Sequence, residues 1–283
     1  MKKVIGLVSL LLAILLAIPA MAWDEDEEYS IVDFPEIEVI YYNNVPWNFP
    51  VDMMEMDPEL VMLANKSMFL SKDYVPDDLV DMKKLKLSDG VNTNGGVRMV
   101  DGPWQLQREC AEALVALCDA ARAEGHELYL KSAYRSYKTQ DNMYYNRLKK
   151  NNGKDDGWVA KPGASDHQTG LGCDVVPRNW TDRGMNEDMA REEETQWMAA
   201  HCAEFGFILR YPKDKEDITE INYEPWHLRY VGNPAATYIM DNGLCLEEFH
   251  AQLMTAIEEF IAAGGPASLV EDFIQVSAED KYD

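Results

Sequence analysis

The chain has 283 residues and a formal net charge of -24 at pH 7. A field that acidic repels nucleic-acid phosphates and anionic lipid surfaces, which excludes sequence-independent nucleic-acid binding in the absence of a basic patch, and none is legible in the sequence. The length suits one domain with extensions, because a sizeable core can be built from fewer residues than this.

Residues 1–22 read as a processing signal. Lys2 and Lys3 give a positive start, Val4 to Ile18 is almost unbroken apolar sequence, and Ala20-Met21-Ala22 offers small residues for cleavage. The expected product is secreted or extracytoplasmic, in the cell wall or periplasm. The apolar stretch is short for a bilayer span and no later segment could cross a membrane, so no stable membrane insertion is expected after cleavage. Cleavage removes two lysines and no acid, moving the formal charge from -24 to -26.

Residues 23–58 open on Trp23-Asp24-Glu25-Asp26-Glu27-Glu28 and show no clear period; an acidic, partly disordered lead is expected, with one strand near Ile37 to Tyr42. From Pro103 to Glu124, Leu106, Cys110, Leu114, Leu117 and Ala121 recur at helical spacing, and Gly125 supplies a stop. Glu127 to Tyr134 alternates as a strand does, and a helix from Tyr137 to Lys149 follows a Ser136 cap. Arg135 falls at that strand-to-helix junction, a place where a loop held between rigid elements can aim a side chain into a cleft.

Asn151 to Gly163 is polar and reads as a loop; Leu171 to Val176 reads as a strand. An amphipathic helix is expected over Glu187 to Gly206, strands over Phe207 to Tyr211 and Trp226 to Val231, and helices over Pro234 to Asn242 and Leu246 to Ala263. The tail from Gly264 to Asp283 reads as a solvated extension. The layout is α+β.

Five cysteines, Cys110, Cys118, Cys173, Cys202 and Cys245, follow the signal. Export permits disulfides, yet the odd number leaves at least one thiol unpaired and no pair has C-x-x-C spacing. Cys110 and Cys118, eight apart on one expected helix, are too distant to bridge each other. Buried small apolar side chains are the expected role for most of them.

Two segments carry the chemistry. Ser165-Asp166-His167-Gln168-Thr169-Gly170-Leu171-Gly172-Cys173-Asp174 puts a histidine and an aspartate seven apart, with two glycines between them that argue for a turn and strand over a helix. Glu224-Pro225-Trp226-His227 places a carboxylate and a histidine three apart, and Pro225 rules out the helical spacing of an H-E-x-x-H metalloprotease. A hydrolytic zinc site needs three protein ligands, an open position for water and a separate carboxylate to take the water's proton. The two segments supply such a set, though spacing alone leaves open which carboxylate serves which purpose.

These motifs, Ser165-x-His167-x6-Asp174 and Glu224-Pro225-Trp226-His227, resemble the two metal motifs of the VanY-type D-alanyl-D-alanine carboxypeptidases, zinc enzymes related to the VanX-type D,D-dipeptidases. Leu63 to Lys66 with Tyr74 to Val80, Ser132-Ala133-Tyr134-Arg135-Ser136, and Gly206 to Pro212 follow in family order. The resemblance covers about residues 59–250 and implies a catalytic domain there, with residues 251–283 as a helical and acidic extension. It implies a small, mainly antiparallel sheet flanked by helices, with the metal site in a cleft on the sheet. Zn2+ would be held by His167, Asp174 and His227, with Glu224 as catalytic base and Arg135 as the group that recognises a terminal carboxylate and stabilises an oxyanion. Ser165 is a substrate-binding candidate that could equally cap a turn; Gln140, the other substrate-binding candidate, and Asp166 are weaker and suit a supporting or structural role.

The implied function is zinc-dependent hydrolysis of the terminal D-Ala-D-Ala bond of peptidoglycan stem peptides by a monomer. An L,D-carboxypeptidase or endopeptidase on the same peptides, or a non-catalytic wall-binding module, are the alternatives. Cys173 is expected to point into the core, away from Asp174, and so not to act as a nucleophile. His126, His201 and His250 are expected in solvated or structural roles, and Trp226 is expected to pack the strand.

Overall fold

The computed structural model describes residues 39–85 and 96–278. The expected signal (1–22), the acidic run after Trp23 and the end of the tail lie outside the described residues. A hairpin comes first, β1 (Ile40–Tyr42) paired antiparallel with β2 (Val45–Trp47). Asn43 and Asn44 make its turn with φ of 51° and 66°, the left-handed geometry that a two-residue hairpin requires and asparagine tolerates. The strand expected near Ile37 to Tyr42 is therefore present in its described part.

β3 (Leu79–Asp81), β4 (Arg98–Met99) and β5 (Gln105–Gln107) follow, and β3 pairs antiparallel with β5. The helix expected from Pro103 begins later, as α1 (Arg108–Ala123). Its first expected turn is instead strand β5, whose Gln107 N–H donates to Gly170 O at 2.9 Å. Gly125, at φ 91°, ends the run after α1 as expected. β6 (Leu128–Ser132) and α2 (Tyr137–Lys150) are as anticipated, and the Ser136 hydroxyl accepts from the Thr139 N–H at the start of α2.

β7 (Gly172–Pro177) is buried along its whole length. The single helix expected over Glu187 to Gly206 is broken into three pieces: a 3-10 turn at Glu187–Arg191, α3 (Glu193–His201) and a second 3-10 turn at Cys202–Phe205. Gly206 closes the last of these at φ 78°. β8 (Phe207–Leu209), α4 (Glu216–Thr219), β9 (His227–Tyr230), α5 (Asn233–Asp241), α6 (Leu246–Ala262) and α7 (Glu271–Ala278) complete the order.

Five strands form one sheet in the order β4-β6-β7-β9-β8. Only the β4/β6 pair is parallel; the other three pairings are antiparallel. The fold is thus α+β with a mainly antiparallel sheet, as the resemblance implied. Strand alternation assigns the two faces. Leu128 and Leu130 of β6, Cys173 and Val175 of β7, and Leu228 and Tyr230 of β9 pack with Cys110, Leu114 and Leu117 of α1 in one core. Asp174, His227 and Arg229 alternate with these residues and so belong to the opposite face. Each fully buried leucine of α1 contributes roughly 1.5–3 kcal/mol by leaving water.

A second core joins the two ends of the described chain. Tyr42, Trp47, Phe49 and Met53 pack with Ile239 of α5 and with Phe249, Leu253 and Phe260 of α6. Val270 and Phe273 of the tail are buried in the same cluster. The tail expected to be a solvated extension therefore packs, and α6 runs without a break across residue 250.

All five cysteines are free and buried. Cys173 is fully buried in the α1-side core, as expected, and burial holds its thiol well above the ordinary range.

Candidate metal centre and active site

Pairing register builds the site. Asp174 of β7 lies opposite His227 of β9, and Ser132 at the end of β6 lies opposite Asp174. The β6/β7 register shifts between Leu130 and Ser132, an irregularity of the kind that re-aims side chains beside active sites. His167 arrives from a 3-10 turn, Asp166–Thr169, that runs directly into β7. Both glycines of this motif have structural reasons. Gly170 closes the turn at φ 71°, and a Cβ on Gly172 would meet backbone and Cβ atoms of Asp166 at 3.0 Å.

The turn is fastened on several sides. His167 Nδ1 donates to Ala133 O at 2.7 Å, which makes Nε2 the ring nitrogen that carries the lone pair. The Arg135 N–H donates to His167 O at 3.1 Å. Gln107 Nε2 donates to Thr169 O at 2.7 Å, and Gln168 Nε2 to Ser71 O at 2.8 Å.

One donor atom each from His167, Asp174 and His227 lie within 4.8 Å of one another, all three residues being buried. Asp174 Oδ1 is 3.4 Å from His167 Nε2 and 3.4 Å from His227 Nδ1, and it accepts no hydrogen bond despite its burial. A buried carboxylate oxygen without a donor is costly unless a cation satisfies it. Two imidazoles and one carboxylate around such an oxygen fit a zinc ion better than magnesium or calcium, which prefer all-oxygen surroundings.

Glu224 stands beside this triad, its Oε2 3.3 Å from His227 Nδ1. Burial raises its pKa against the pull of His227. For Asp174, burial is outweighed by His167, His227 and Arg135, which hold its carboxyl well below the usual range. Burial and the nearby Arg135 charge push His167 down to about 4. Burial acts the same way on His227, but Asp174 and Glu224 overcome it and push it up to about 9.

Arg135 lies across the site. Its Nη2 is 2.6 Å from His167 Nε2 and donates to Asp174 Oδ2 at 3.0 Å. Nε donates to Ser132 Oγ at 3.1 Å and Nη1 to Gln140 Oε1 at 3.2 Å. Gln140, almost wholly buried, also donates from Nε2 to Ala160 O at 2.7 Å, so both ends of its amide are engaged inside the protein. Ser165 is buried at the start of the 3-10 turn without capping it through its side chain. All seven anticipated residues, Arg135, Gln140, Ser165, His167, Asp174, Glu224 and His227, line one cavity of about 340 Å³.

Asp166 turns away from this cavity into the protein, where it ion-pairs with both Arg210 and Arg229. Sequence reasoning gave these arginines no role, although a cation inside the apolar strands Phe-Ile-Leu-Arg and His-Leu-Arg-Tyr signals a buried partner. Trp158 was also missed: it stacks on Trp226 at 6.2 Å and an interplanar angle of 17°, and both line the cavity. The polar loop around Trp158 gave no periodic signal. The Tyr211 ring packs edge-on against His227 at 4.9 Å.

Comparison with known proteins finds carboxypeptidases. The family model described as VanY, D-alanyl-D-alanine carboxypeptidase, matches residues 103–233, the span that contains all seven cavity residues named above. Putative carboxypeptidase YodJ of Bacillus subtilis (strain 168) is 37% identical over 216 residues, 75% of this chain and 75% of its own length. Among solved structures, the LdcB LD-carboxypeptidase superposes with a TM-score of 0.59 at 35% identity, covering 75% of this chain and 92% of that one. A mutant of the vancomycin-resistance D,D-pentapeptidase VanY, in complex with Zn(II), gives a TM-score of 0.52 at 32% identity over 68% of this chain and 98% of that one. With a family model over residues 103–233, a relative 37% identical over 75% of its length, and a VanY structure covered to 98% at 32% identity, the chain belongs to the VanY family of D-alanyl-D-alanine carboxypeptidases.

Proposed function

We propose that this enzyme is a zinc-dependent D,D-carboxypeptidase that removes the terminal D-alanine from peptidoglycan stem peptides. The convergence of His167, Asp174 and His227 around an unsatisfied buried carboxylate oxygen, with Glu224 alongside, carries the reading. Zinc held by these three residues would supply Lewis acidity, lowering the pKa of a water and polarising the scissile carbonyl.

Glu224 is the base. Burial makes its carboxylate a better proton acceptor, so it takes the proton of the attacking water and returns it to the departing amine. Arg135 presents a guanidinium fork to the substrate's free carboxylate and to the developing oxyanion. Gln140 holds that fork in place, and Ser165 offers a hydroxyl at the cavity wall. The cavity's size suits the end of a peptide, and its Trp158 and Trp226 rings give the peptide an apolar wall. On this reading the enzyme works as a monomer outside the cytoplasm, where stem peptides are found, after cleavage behind Ala22; the amino-terminal apolar run supports export.

An L,D-carboxypeptidase is the second reading, favoured by the LdcB structure's higher TM-score and its wider coverage of this chain, 75% against 68% for the VanY structure. Alanine release from a pentapeptide ending in D-Ala-D-Ala, set against release from the tetrapeptide ending in a single D-alanine, separates the two. The D,D reading requires faster release from the pentapeptide. Faster release from the tetrapeptide would replace it with the L,D reading.

A further inference from the structure

Four charges, three of them fully buried and Glu247 largely so, form a network beside the metal site without lining the cavity. Asp166, one residue before His167, is fully buried and ion-pairs with Arg210 and Arg229, themselves fully buried. Arg210 continues to Glu247 of α6, with Nη2 to Oε1 at 2.7 Å and Nη1 to Oε2 at 2.8 Å. Two acids and two arginines balance in charge. Arg229 also donates from Nη2 to Leu60 O at 3.0 Å and to Met62 O at 2.8 Å. Asn65 Nδ2 donates to Glu247 Oε1 at 3.2 Å.

Three members of this network adjoin a metal-site element, and Glu247 reaches it through Arg210. Asp166 precedes His167 in the same 3-10 turn; Arg229 lies two residues after His227 on β9, hence on the same face; Arg210 precedes Tyr211, whose ring packs on His227. Gly172, by lacking a Cβ, lets the Asp166 backbone close down on β7. Buried ion pairs of this kind seldom add net stability over apolar packing of the same volume, so their use here calls for a conformational reason.

We propose that Asp166 and Glu247 are positioning residues for the metal centre: through Arg210 and Arg229 they lock the His167 turn to the His227 strand, and they tie both to α6. Glu247 and the Leu60 to Asn65 segment fall outside residues 103–233, so the geometry of the metal ligands is set by parts of the chain beyond the matched family span. This inference rests on the metal-site reading above. Ligands held by a rigid outer network keep their spacing when the metal leaves, and outer partners of this kind commonly govern metal affinity.

The test uses the full chain without its signal, as wild type, Asp166→Asn, Glu247→Gln and the control Phe260→Leu, which loosens the second core away from the network. Zinc affinity is measured by competition with a chromophoric chelator, and the visible ligand-field spectrum of the cobalt(II) form is recorded beside thermal melts. Asp166→Asn is expected to weaken zinc binding roughly 10- to 100-fold, Glu247→Gln less, and both to shift the cobalt bands. Phe260→Leu is expected to lower the melting temperature while leaving affinity and bands unchanged. Should Asp166→Asn fail to fold, Glu247→Gln, which keeps the shape of the side chain, carries the test.

Folded network variants with wild-type affinity and spectrum would overturn the proposal, as would a Phe260→Leu effect of equal size. A wild-type chain that binds no zinc would instead defeat the metal-site reading itself.

Discussion

Asp174 and His227 face each other across the β7/β9 pair, and Asp174 Oδ1 stands 3.4 Å from His227 Nδ1. Because antiparallel register sets these two residues opposite each other, two of the three candidate ligands are placed on the sheet itself and only His167 depends on a loop. Asp174→Ala removes the central carboxylate and leaves two imidazoles. Zinc affinity is expected to fall by at least about 100-fold, beyond the usual effect of losing an outer partner. Chelator competition checks this, and tight zinc binding by the variant would move the metal site elsewhere.

Arg135→Lys keeps the charge but loses the planar fork that reaches Ser132, Gln140 and Asp174. Its kcat/KM on a D-alanine-ended peptide is expected to drop roughly 100-fold. Gln140→Ala, which frees the guanidinium and also removes the bond to Ala160 O, is expected to raise KM more than it lowers kcat. Steady-state kinetics of the pair decide whether Gln140 acts through Arg135 or touches substrate.

The tail makes a stability prediction. Phe273 is buried against the core shared by the first hairpin and α6, so Phe273→Ala is expected to cost about 3 kcal/mol or more. A urea melt measures it. A loss below about 0.5 kcal/mol, the range of surface substitutions, would return the tail to a solvated role.

Glu247 gives a pH dependence. Burial raises its pKa, but Arg210 outweighs burial and holds the carboxyl below its ordinary value of 4.5. The unfolded chain therefore takes up this proton first, so the contribution of Glu247 is complete above pH 4.5 and is lost as pH falls through the lower folded value. The stability gap between wild type and Glu247→Gln is expected to be constant from pH 7 to about 5 and to shrink below that. A gap that widens on acidification would contradict the pairing.

Five buried free thiols predict slow modification of the native protein by a thiol reagent and five reactive thiols after unfolding without reductant. Burial pushes Cys118 and Cys202 up to about 12, which suppresses the thiolate. Fewer than five thiols in the unfolded protein would indicate a disulfide.

Much of the site was legible because its signals are local. Ser136 is a cap within reach of Thr139, Pro225 excludes a helix, and Gly170 and Gly172 mark a turn entering a strand. The errors arose where an element depends on distant partners. Leu106 fits a helical stripe and a strand equally well, and its pairing with Val80 on β3 decides for the strand. Glu187 to Gly206 keeps a helical apolar period, yet two 3-10 turns interrupt it. Val270 and Phe273 look like isolated apolar residues until α6 and the first hairpin cover them. Arg210 and Arg229 need Asp166, 44 and 63 residues away, before their place in the strands makes sense.

The most direct test of the zinc carboxypeptidase assignment is D-alanine release from a synthetic pentapeptide ending in D-alanyl-D-alanine. Wild type and Glu224→Ala, both with residues 23–283, are assayed with zinc, after chelation and after zinc is restored. The prediction is release by wild type that chelation abolishes and zinc restores, with Glu224→Ala inactive although it still binds zinc. Release that survives chelation, or that Glu224→Ala sustains at the wild-type rate, would contradict it.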